Sequence, residues 1–360
     1  MPDPPPWDIP PSWTPALDAA RAGGTLFLIG GVDSGKSTLA AILANAAIEA
    51  GRTTAVVDAD TGQSDIGPPT CVGMARVVDP IHSLDTLPAD AIDFVGSSSP
   101  VRHLLGATAS AYAMTAAARE TGADTIIVDT TGLISGGVAR ALKSAKIRLL
   151  DPDIVIVLQS ESEAEHLLTP YAHRSRPRIV RLRQSRRARS RTRDQRAGRR
   201  QAKFREYFAD GREAVIEWDQ VPMDNTAWTT GEPAPDHVRA FAEERVECEV
   251  HYAEARADGL LLIVSGNPSA AGLRSLSPDF GGPARAIEVG VLDRLLVGLL
   301  GDRGETLALG IIEAVDFRSR TLTIFTPLTA LAAAKSLRLG AVRLTRDCSE
   351  LGWIDPADLA

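Results

Sequence analysis

A phosphate-binding loop lies in the stretch "LIGGVDSGKSTL", which begins at residue 28. Gly30, Gly35, Lys36 and Ser37 satisfy the pattern GxxxxGK[ST]. In such a loop the backbone N–H groups surround the β- and γ-phosphates of a nucleotide, the lysine neutralises their charge, and the serine hydroxyl ligates Mg²⁺. The residues predicted to bind the nucleotide are Gly30, Gly31, Ser34, Gly35, Lys36, Ser37 and Thr38. The loop leaves open whether the γ-phosphate is hydrolysed, sensed by a switch or transferred to an acceptor.

Two carboxylates follow the next apolar run. Asp58 and Asp60 stand two residues apart in "VVDADTGQSDIGPP", so in an extended strand both point to one side, at the end where α/β sheets bind ligands. One carboxylate can hold Mg²⁺ through water, and the other can accept a proton from an attacking hydroxyl. The glycines and prolines that follow predict a rigid loop from which Gln63 reaches an acceptor. No NKxD-like guanine-reading motif follows, which favours ATP over GTP.

The elements that must position these groups alternate between strands and helices. Near-continuous apolar runs predict buried parallel strands, at 25–30, 53–60, 124–130, 153–158 and 178–182. Helical spacing follows the phosphate loop as far as Gly51 and recurs at 103–121 and 136–149. The alternation predicts an α/β domain with a mostly parallel sheet flanked by helices.

The character of the sequence changes after the break "WTTGEPAPDH". Strand-like runs such as "GLLLIVSG" and "RTLTIFTP" follow it, with "DFRSRT" as a predicted hairpin turn. Three regions are therefore predicted: a proline-rich lead-in at 1–24, a P-loop domain at 25–240 and a smaller, mainly β domain at 246–360.

Charge is distributed unevenly along the chain. The net charge is -7, yet fourteen Arg or Lys residues and the single acid Asp194 lie between Arg174 and Lys203. Such a run is either a solvated charged face or a surface for an anionic partner. Its position between structured segments favours an anionic partner.

Other classes of protein are disfavoured. Cys71, Cys248 and Cys348 are far apart and form no CxxC pair, so the sequence suggests neither a disulfide framework nor a zinc site. The first residues lack the basic and apolar regions of a secretion signal, and no uncharged stretch approaches the roughly 18 residues of a membrane span. A cytoplasmic protein with no membrane partner is expected.

These motifs, in this order, resemble the polynucleotide 5′-hydroxyl kinase family, which includes the kinase subunit of the pre-mRNA cleavage complex and the pre-rRNA processing kinases. The matching stretches are "GGVDSGKSTL", "VVDADTGQSDIGPP", "IIVDTTGLISGG" and "PDIVIVLQ", and the likeness covers about residues 25–210. It is greatest to the short archaeal and bacterial members. The resemblance implies a P-loop kinase that uses ATP and Mg²⁺ to phosphorylate the 5′-hydroxyl of a nucleic acid, with RNA favoured over DNA.

The resemblance also implies roles for residues around the phosphates. Lys36 and Ser37 match the lysine and the Mg²⁺-ligating hydroxyl of the family's loop, and Asp33 matches an aspartate within that loop. Asp60 matches the aspartate of the family's DxGQ motif, which acts as the general base and lies on the metal side. Mg²⁺ is thereby assigned to Ser37, Asp58 and Asp60.

Two further family elements contact the acceptor and the triphosphate. The clasp TxGW corresponds to Thr130, Thr131 and Gly132, followed by Leu133 where eukaryotic members have a tryptophan that packs against the acceptor strand. The second element is an arginine-rich lid, at about residues 174–210.

The lid pattern S-x-x-x-R-x-x-x-R is matched by Ser185, Arg189 and Arg193, and the spacing of four positions from one arginine to the next places them on one helical face. With Lys36 they are the groups implied to stabilise charge on the transferred phosphoryl group.

Two other functions stay open at the level of sequence. A small-molecule P-loop kinase would share the loop and the base but would not need the arginine run. An ATP-binding switch or adaptor in RNA processing, related to the chromosome-partitioning ATPases, would carry a lysine near the start of the loop, where Gly31 stands here.

Overall fold

A computed structural model describes residues 7, 9–185 and 191–359 of the 360-residue chain. The chain divides into two compact units, with the boundary between Phe204 and Arg205. None of the helices in the described part is both long enough and apolar enough to cross a bilayer.

The first unit is built on one sheet. Its strands are β1 (Gly24–Gly30), β2 (Thr54–Ala59), β3 (Cys71–Val77), β4 (Ala91–Phe94), β5 (Thr125–Thr130), β6 (Ile154–Gln159) and β7 (Arg178–Arg183). Their order across the sheet is β4-β3-β2-β5-β1-β6-β7, with β3 and β4 antiparallel to their neighbours and the other pairs parallel. The predicted mostly parallel sheet is confirmed, and each of the five predicted runs forms one of its strands.

The helices of this unit are α1 (Thr14–Ala22), α2 (Lys36–Glu49), α3 (Leu104–Glu120), α4 (Gly136–Leu150), α5 (Glu165–Leu168) and α6 (Arg193–Tyr207). Two apolar cores lie against the sheet, because successive strand residues point to opposite faces. Leu26 and Leu28 of β1 pack with α1 and α2, whereas Phe27 and Ile29 pack with α3 and α4. The region predicted as a lead-in thus supplies part of the fold, since Trp13 and α1 are buried in the first of these cores.

The second unit is rich in β-structure, as predicted. Its strands are β8 (Arg212–Glu217), β9 (Met223–Asp224), β10 (Glu232–Pro233), β11 (Val250–Arg256), β12 (Gly259–Val264), β13 (Ala284–Glu288), β14 (Leu295–Leu300), β15 (Thr306–Asp316), β16 (Thr321–Thr326), β17 (Ser336–Leu344) and β18 (Glu350–Trp353). Helices α7 (Asp236–Val246) and α8 (Ala270–Leu276) accompany them. The predicted hairpin turn joins β15 and β16.

The second unit starts earlier in the chain than the sequence predicts. β8 pairs with β16, so residues 212–217 belong to the second unit and not to the P-loop domain. A short strand that pairs more than a hundred residues away leaves no local signal of its partner, which explains the different boundary.

Candidate active site

A cavity of about 1200 Å³ lies where the central strands of the first unit end. β2, β5 and β1 are neighbours in the sheet, so the loops that follow them meet at one edge. These loops line the cavity with residues 31–38, with residues 131–135, and with Asp60, Gly62, Gln63 and Asp65. Residues 82–85 and 98–101 form further walls, and the lining is completed by Arg191, Gln195, Arg196, Arg199 and Arg200.

The phosphate loop occupies one wall of this cavity. Gly35 has a φ of +93°, a left-handed conformation in which a side chain would be strained, and α2 begins directly after it. The Lys36 ammonium donates a 2.8 Å hydrogen bond to the Gly31 carbonyl. The Ser34 hydroxyl is buried and has no partner among the described residues. A donor left unsatisfied in a loop of N–H groups suits the oxygens of a phosphate.

A buried carboxylate that contacts this wall was not among the residues predicted from the sequence. Asp129, at the end of β5, accepts a 2.6 Å hydrogen bond from the Ser37 hydroxyl. Burial raises the pKa of Asp129, and the Lys36 charge and the Ser37 hydrogen bond oppose that rise. A hydroxyl and a carboxylate oxygen in contact are the kind of donors that Mg²⁺ takes in nucleotide sites. An acid that ends an apolar strand after a phosphate loop is the sequence signal that would have identified Asp129.

The two carboxylates of the predicted pair, Asp58 and Asp60, lie in different environments. Asp58 is 1% exposed and accepts hydrogen bonds from the backbone N–H groups of Asp60, Asp65 and Ile66. Burial raises the pKa of Asp58 well above its usual range. Asp58 therefore holds the loop after β2 in shape and is not among the described residues that line the cavity. Its role as a metal ligand stays a prediction.

Asp60 itself does line the cavity. Its Oδ1 accepts hydrogen bonds from the N–H groups of Gly62 and Gln63, at 3.0 and 3.1 Å. No described residue donates a hydrogen bond to its Oδ2. Gln63 also lines the cavity, and its amide nitrogen donates to two carbonyls, at Gly62 (2.7 Å) and Arg196 (3.4 Å). The Gln63 amide oxygen is buried without a partner among the described residues.

The predicted clasp is only partly at the cavity. Thr131, Gly132 and Leu133 line it, but Thr130 is fully buried and its hydroxyl donates to the Leu28 carbonyl at 2.6 Å. Gly132 approaches the phosphate loop closely, because a Cβ there would stand 2.6 Å from both the N and the Cα of Val32. The clasp and the phosphate loop are thus packed directly against each other.

We expect Gly132→Ala to weaken ATP binding, because the new methyl group must displace the backbone of Val32 in the phosphate loop. Overpacking of this kind costs about 1–3 kcal/mol, which corresponds to an increase of about five- to 150-fold in the ATP dissociation constant if the whole cost falls on the bound state. Gly137→Ala is the matched control, since nothing lies within 4 Å of a Cβ at that position. Titration of fluorescent ATP measures both, and equal affinities for the two variants would contradict the packing argument.

Part of the predicted lid lies outside the described residues. Arg189 is in the segment 186–190, which the structure does not describe, whereas Ser185 directly precedes it. Arg193 begins α6, is exposed and is not among the described residues that line the cavity. Arg196 lines the cavity and forms an ion pair with Asp33 of the phosphate loop at 3.3 Å. The predicted role of Asp33 as a nucleotide contact is thus accompanied by a contact to the lid.

A second ion pair joins α6 to the loop after β2. Arg199 binds the carboxylate of Asp65 and lies 3.5 Å from that of Asp85. The Lys203 ammonium donates to the Asp65 carbonyl at 3.3 Å. Asp65 is 5% exposed, so its ion pair is largely shielded from water. The last part of the basic run, residues 193–203, is therefore helical and is fixed to the cavity wall by carboxylates, which a pattern of charges in sequence cannot show.

Two comparisons with known sequences identify the family to which this chain belongs. The sequence model of the family described as "mRNA cleavage and polyadenylation factor CLP1 P-loop" matches residues 30–210, about half of the chain. The chain belongs to the CLP1 P-loop family. The polyribonucleotide 5′-hydroxyl-kinase of Methanocaldococcus jannaschii is 31% identical over 340 residues, which cover 92% of this chain and 90% of that protein. The polyribonucleotide 5′-hydroxyl-kinase Clp1 of Xenopus tropicalis is 26% identical, over 85% of this chain and 67% of that protein.

Solved structures of the CLP1 P-loop family agree with the fold. Clp1p, in its wild-type complex with a Pcf11p fragment, covers 91% of this chain with a TM-score of 0.57 and 14% sequence identity. Cavity residues 31–38, 60–65 and 131–135 fall inside the family match, as does the cavity face of α6. The second unit lies outside that match except for residues 205–210.

In this member of the CLP1 P-loop family, Asp65 predicts a pH dependence of stability. Burial raises the pKa of Asp65 from 3.8 to about 6, although the Arg199 and Lys203 charges oppose the rise and those of Asp129 and Asp85 add to it. The folded protein then retains the Asp65 proton more tightly than the unfolded chain, so its contribution to stability falls as the pH rises from about 4 to about 6.

Asp65→Asn cannot titrate, so we expect the melting temperature of the wild type, minus that of the variant, to fall across this pH range. Thermal melts of both proteins in matched buffers at pH 4, 5, 6 and 7 measure the difference. A constant difference over the four values would rule out the raised pKa.

Proposed function

We propose that this protein is an ATP-dependent polyribonucleotide 5′-hydroxyl kinase, which transfers the γ-phosphate of ATP to the 5′-hydroxyl of RNA. One observation carries the proposal: the cavity that contains the phosphate loop also contains Asp60, whose Oδ2 receives no hydrogen bond from the described residues. A carboxylate oxygen without a donor is able to accept a proton. The cavity of about 1200 Å³ around this base leaves room for an acceptor larger than water.

The residues divide into phosphate, metal and acceptor groups. Lys36 moves from the Gly31 carbonyl to the phosphates and, together with the lid arginines Arg189 and Arg193, stabilises charge on the transferred phosphoryl group. The Ser37 hydroxyl and Asp129 fit Mg²⁺ and would hold it, and bound Mg²⁺ neutralises charge on the β- and γ-phosphate oxygens. Asp60 takes the proton of the 5′-hydroxyl as it attacks in line.

The acceptor end of the RNA is placed by the clasp and the loop after β2. Thr131, Gly132 and Gln63 line the cavity, and the buried amide oxygen of Gln63 has no partner among the described residues. An unpaired buried acceptor favours a substrate that supplies a hydroxyl or amino donor there. RNA is proposed over DNA because the similar archaeal proteins are named polyribonucleotide kinases.

A panel of acceptors tests the proposal. The purified protein is incubated with γ-labelled ATP and matched 5′-hydroxyl RNA, 5′-hydroxyl DNA, 5′-phosphorylated RNA and free nucleosides. We expect labelled 5′-hydroxyl RNA, weaker labelling of DNA and none of 5′-phosphorylated RNA. Preferential labelling of nucleosides would instead identify a small-molecule kinase, and release of phosphate with every acceptor unlabelled would identify an ATPase.

A further inference from the structure

Two lysines of α4 lie inside the protein, behind the strand ends that carry the active site. Lys143 and Lys146 are each 1% exposed. Removing an ammonium group from water is costly unless it is well hydrogen-bonded or paired. They share the inner face of α4 with Leu142, Ile147 and Leu150, so apolar residues would suit the packing equally well. The contacts of the two ammonium groups therefore indicate what they do.

Lys143 holds the beginning of the clasp. Its ammonium donates to the Thr130 hydroxyl at 2.6 Å and to the Thr131 carbonyl at 2.7 Å. The Thr130 hydroxyl donates in turn to Leu28 of β1, at 2.6 Å. Burial lowers the pKa of Lys143 well below its usual range, and the charges of Lys146 and Lys36 add to that fall. One buried lysine thus joins α4 to β5 and, through β5, to the strand that enters the phosphate loop.

Lys146 holds the end of β2 in a similar way. Its ammonium donates to the Ala59 carbonyl at 3.4 Å, and Ala59 directly precedes Asp60. Burial lowers the pKa of Lys146 to about 8, and the charges of Asp60 and Asp58 oppose that fall. The ammonium is therefore within the electrostatic reach of the loop that carries the proposed base.

The sheet explains why donors are needed at these two places. The last pair between β2 and β5 is Ala59 with Thr130, and beyond it the two chains diverge into the loops that line the cavity. Buried carbonyls at the end of a sheet have no strand to donate to them and need another partner. A lysine from the helix below supplies that donor and ties each loop to a rigid element.

We propose that Lys143 and Lys146 are positioning residues with separate targets: Lys143 fixes the clasp that receives the acceptor, and Lys146 fixes the loop that presents Asp60. The assignment to acceptor binding and to chemistry rests on the proposed kinase function. The assignment of Lys143 to one loop and Lys146 to the other rests on the hydrogen bonds alone.

Lys143→Met and Lys146→Met form a matched pair, since each removes one buried amino group from the same helix at nearly the same side-chain volume. We expect Lys143→Met to raise the KM for 5′-hydroxyl RNA about tenfold or more, with kcat within about threefold of the wild type. Lys146→Met is expected to lower kcat about tenfold or more, with little change in KM for RNA. The ATP dissociation constant is expected to stay within about threefold in both.

Hydrogen exchange gives a readout that does not depend on activity. Exchange in residues 131–135 is expected to accelerate about tenfold in Lys143→Met alone, and exchange in residues 60–66 in Lys146→Met alone. Gln variants at both positions, which keep a donor, should show smaller changes in the same segments, and they serve as the test if a Met variant does not fold.

The outcomes separate the two proposals. If the two variants show the expected hydrogen-exchange changes but the wild type labels no RNA, the positioning roles stand and the kinase proposal is overturned. RNA labelling by the wild type, with identical kinetic and exchange changes in the two variants or none in either, would overturn the positioning roles.

Discussion

Replacing Lys36 by Met is expected to reduce phosphoryl transfer about 10³-fold or more while the protein stays folded. The Lys36 side chain contacts the Gly31 carbonyl in the cavity wall, and its charge acts on the triphosphate. Methionine preserves the apolar part of the side chain and removes the charge. Steady-state labelling of RNA measures transfer, and circular dichroism with a thermal melt measures the fold.

Lys335→Met is the matched control for this variant. The Lys335 ammonium also donates to a backbone carbonyl, that of Ala332 at 3.0 Å, but it lies in the second unit and is exposed. Loss of charge there should leave transfer at the wild-type rate. Wild-type turnover in Lys36→Met would contradict the assignment of the phosphate loop.

Asp60→Asn is expected to lower kcat about 10²- to 10⁴-fold and to change ATP affinity little. The amide oxygen of asparagine can still accept the hydrogen bonds from the Gly62 and Gln63 backbone, so the loop keeps its shape. The amide nitrogen that replaces Oδ2 cannot accept the proton of the 5′-hydroxyl. Single-turnover kinetics, with the protein in excess over RNA and ATP at a saturating concentration, isolates the chemical step.

Asp58→Asn is expected to impair the fold of the loop after β2, whereas Asp60→Asn is expected to impair the chemical step. Asp58 is buried, and its two carboxylate oxygens accept hydrogen bonds from three backbone N–H groups. In asparagine one of these oxygens becomes an NH₂ group, which cannot accept a hydrogen bond, so the loop after β2 loses part of its support. A lower melting temperature is expected, together with weaker binding of RNA. If Asp60→Asn lost ATP binding along with transfer, Asp60 would be a metal ligand and not the base.

The elements of the first unit were predictable because their signals are local. The phosphate loop, the helix after it and the buried strands are read from patterns within about fifteen residues, and all are present. β3 and β4 were not predicted. β4 is the edge strand and β3 lies next to it, and both pair antiparallel to their neighbours. The β3 sequence "CVGMARV" also contains a glycine and an exposed arginine, which weaken its strand pattern. Pairing with a distant strand, as in β8, leaves no such pattern.

The site was predictable only where spacing fixes geometry. Lys36, Ser37 and Asp60 line one cavity, as the motifs imply. The spacing of Asp58 and Asp60 predicted a shared orientation, but β2 ends at Ala59, and only Asp60 is among the described residues that line the cavity. The position of Asp129 near the end of an apolar strand is a local signal, but its contact with Ser37, 92 positions away, is brought about only by the fold.

The most direct test of the account is the fate of the γ-phosphate in a single turnover with 5′-hydroxyl RNA. The protein is mixed in excess over γ-labelled ATP, and the label is located by complete nuclease digestion of the RNA and by chromatography of free phosphate. We predict that the label is recovered in the 5′-terminal nucleotide, at a rate that Asp60→Asn lowers and Gly137→Ala does not. Label that appears as inorganic phosphate, at the same rate with and without RNA, would contradict the account.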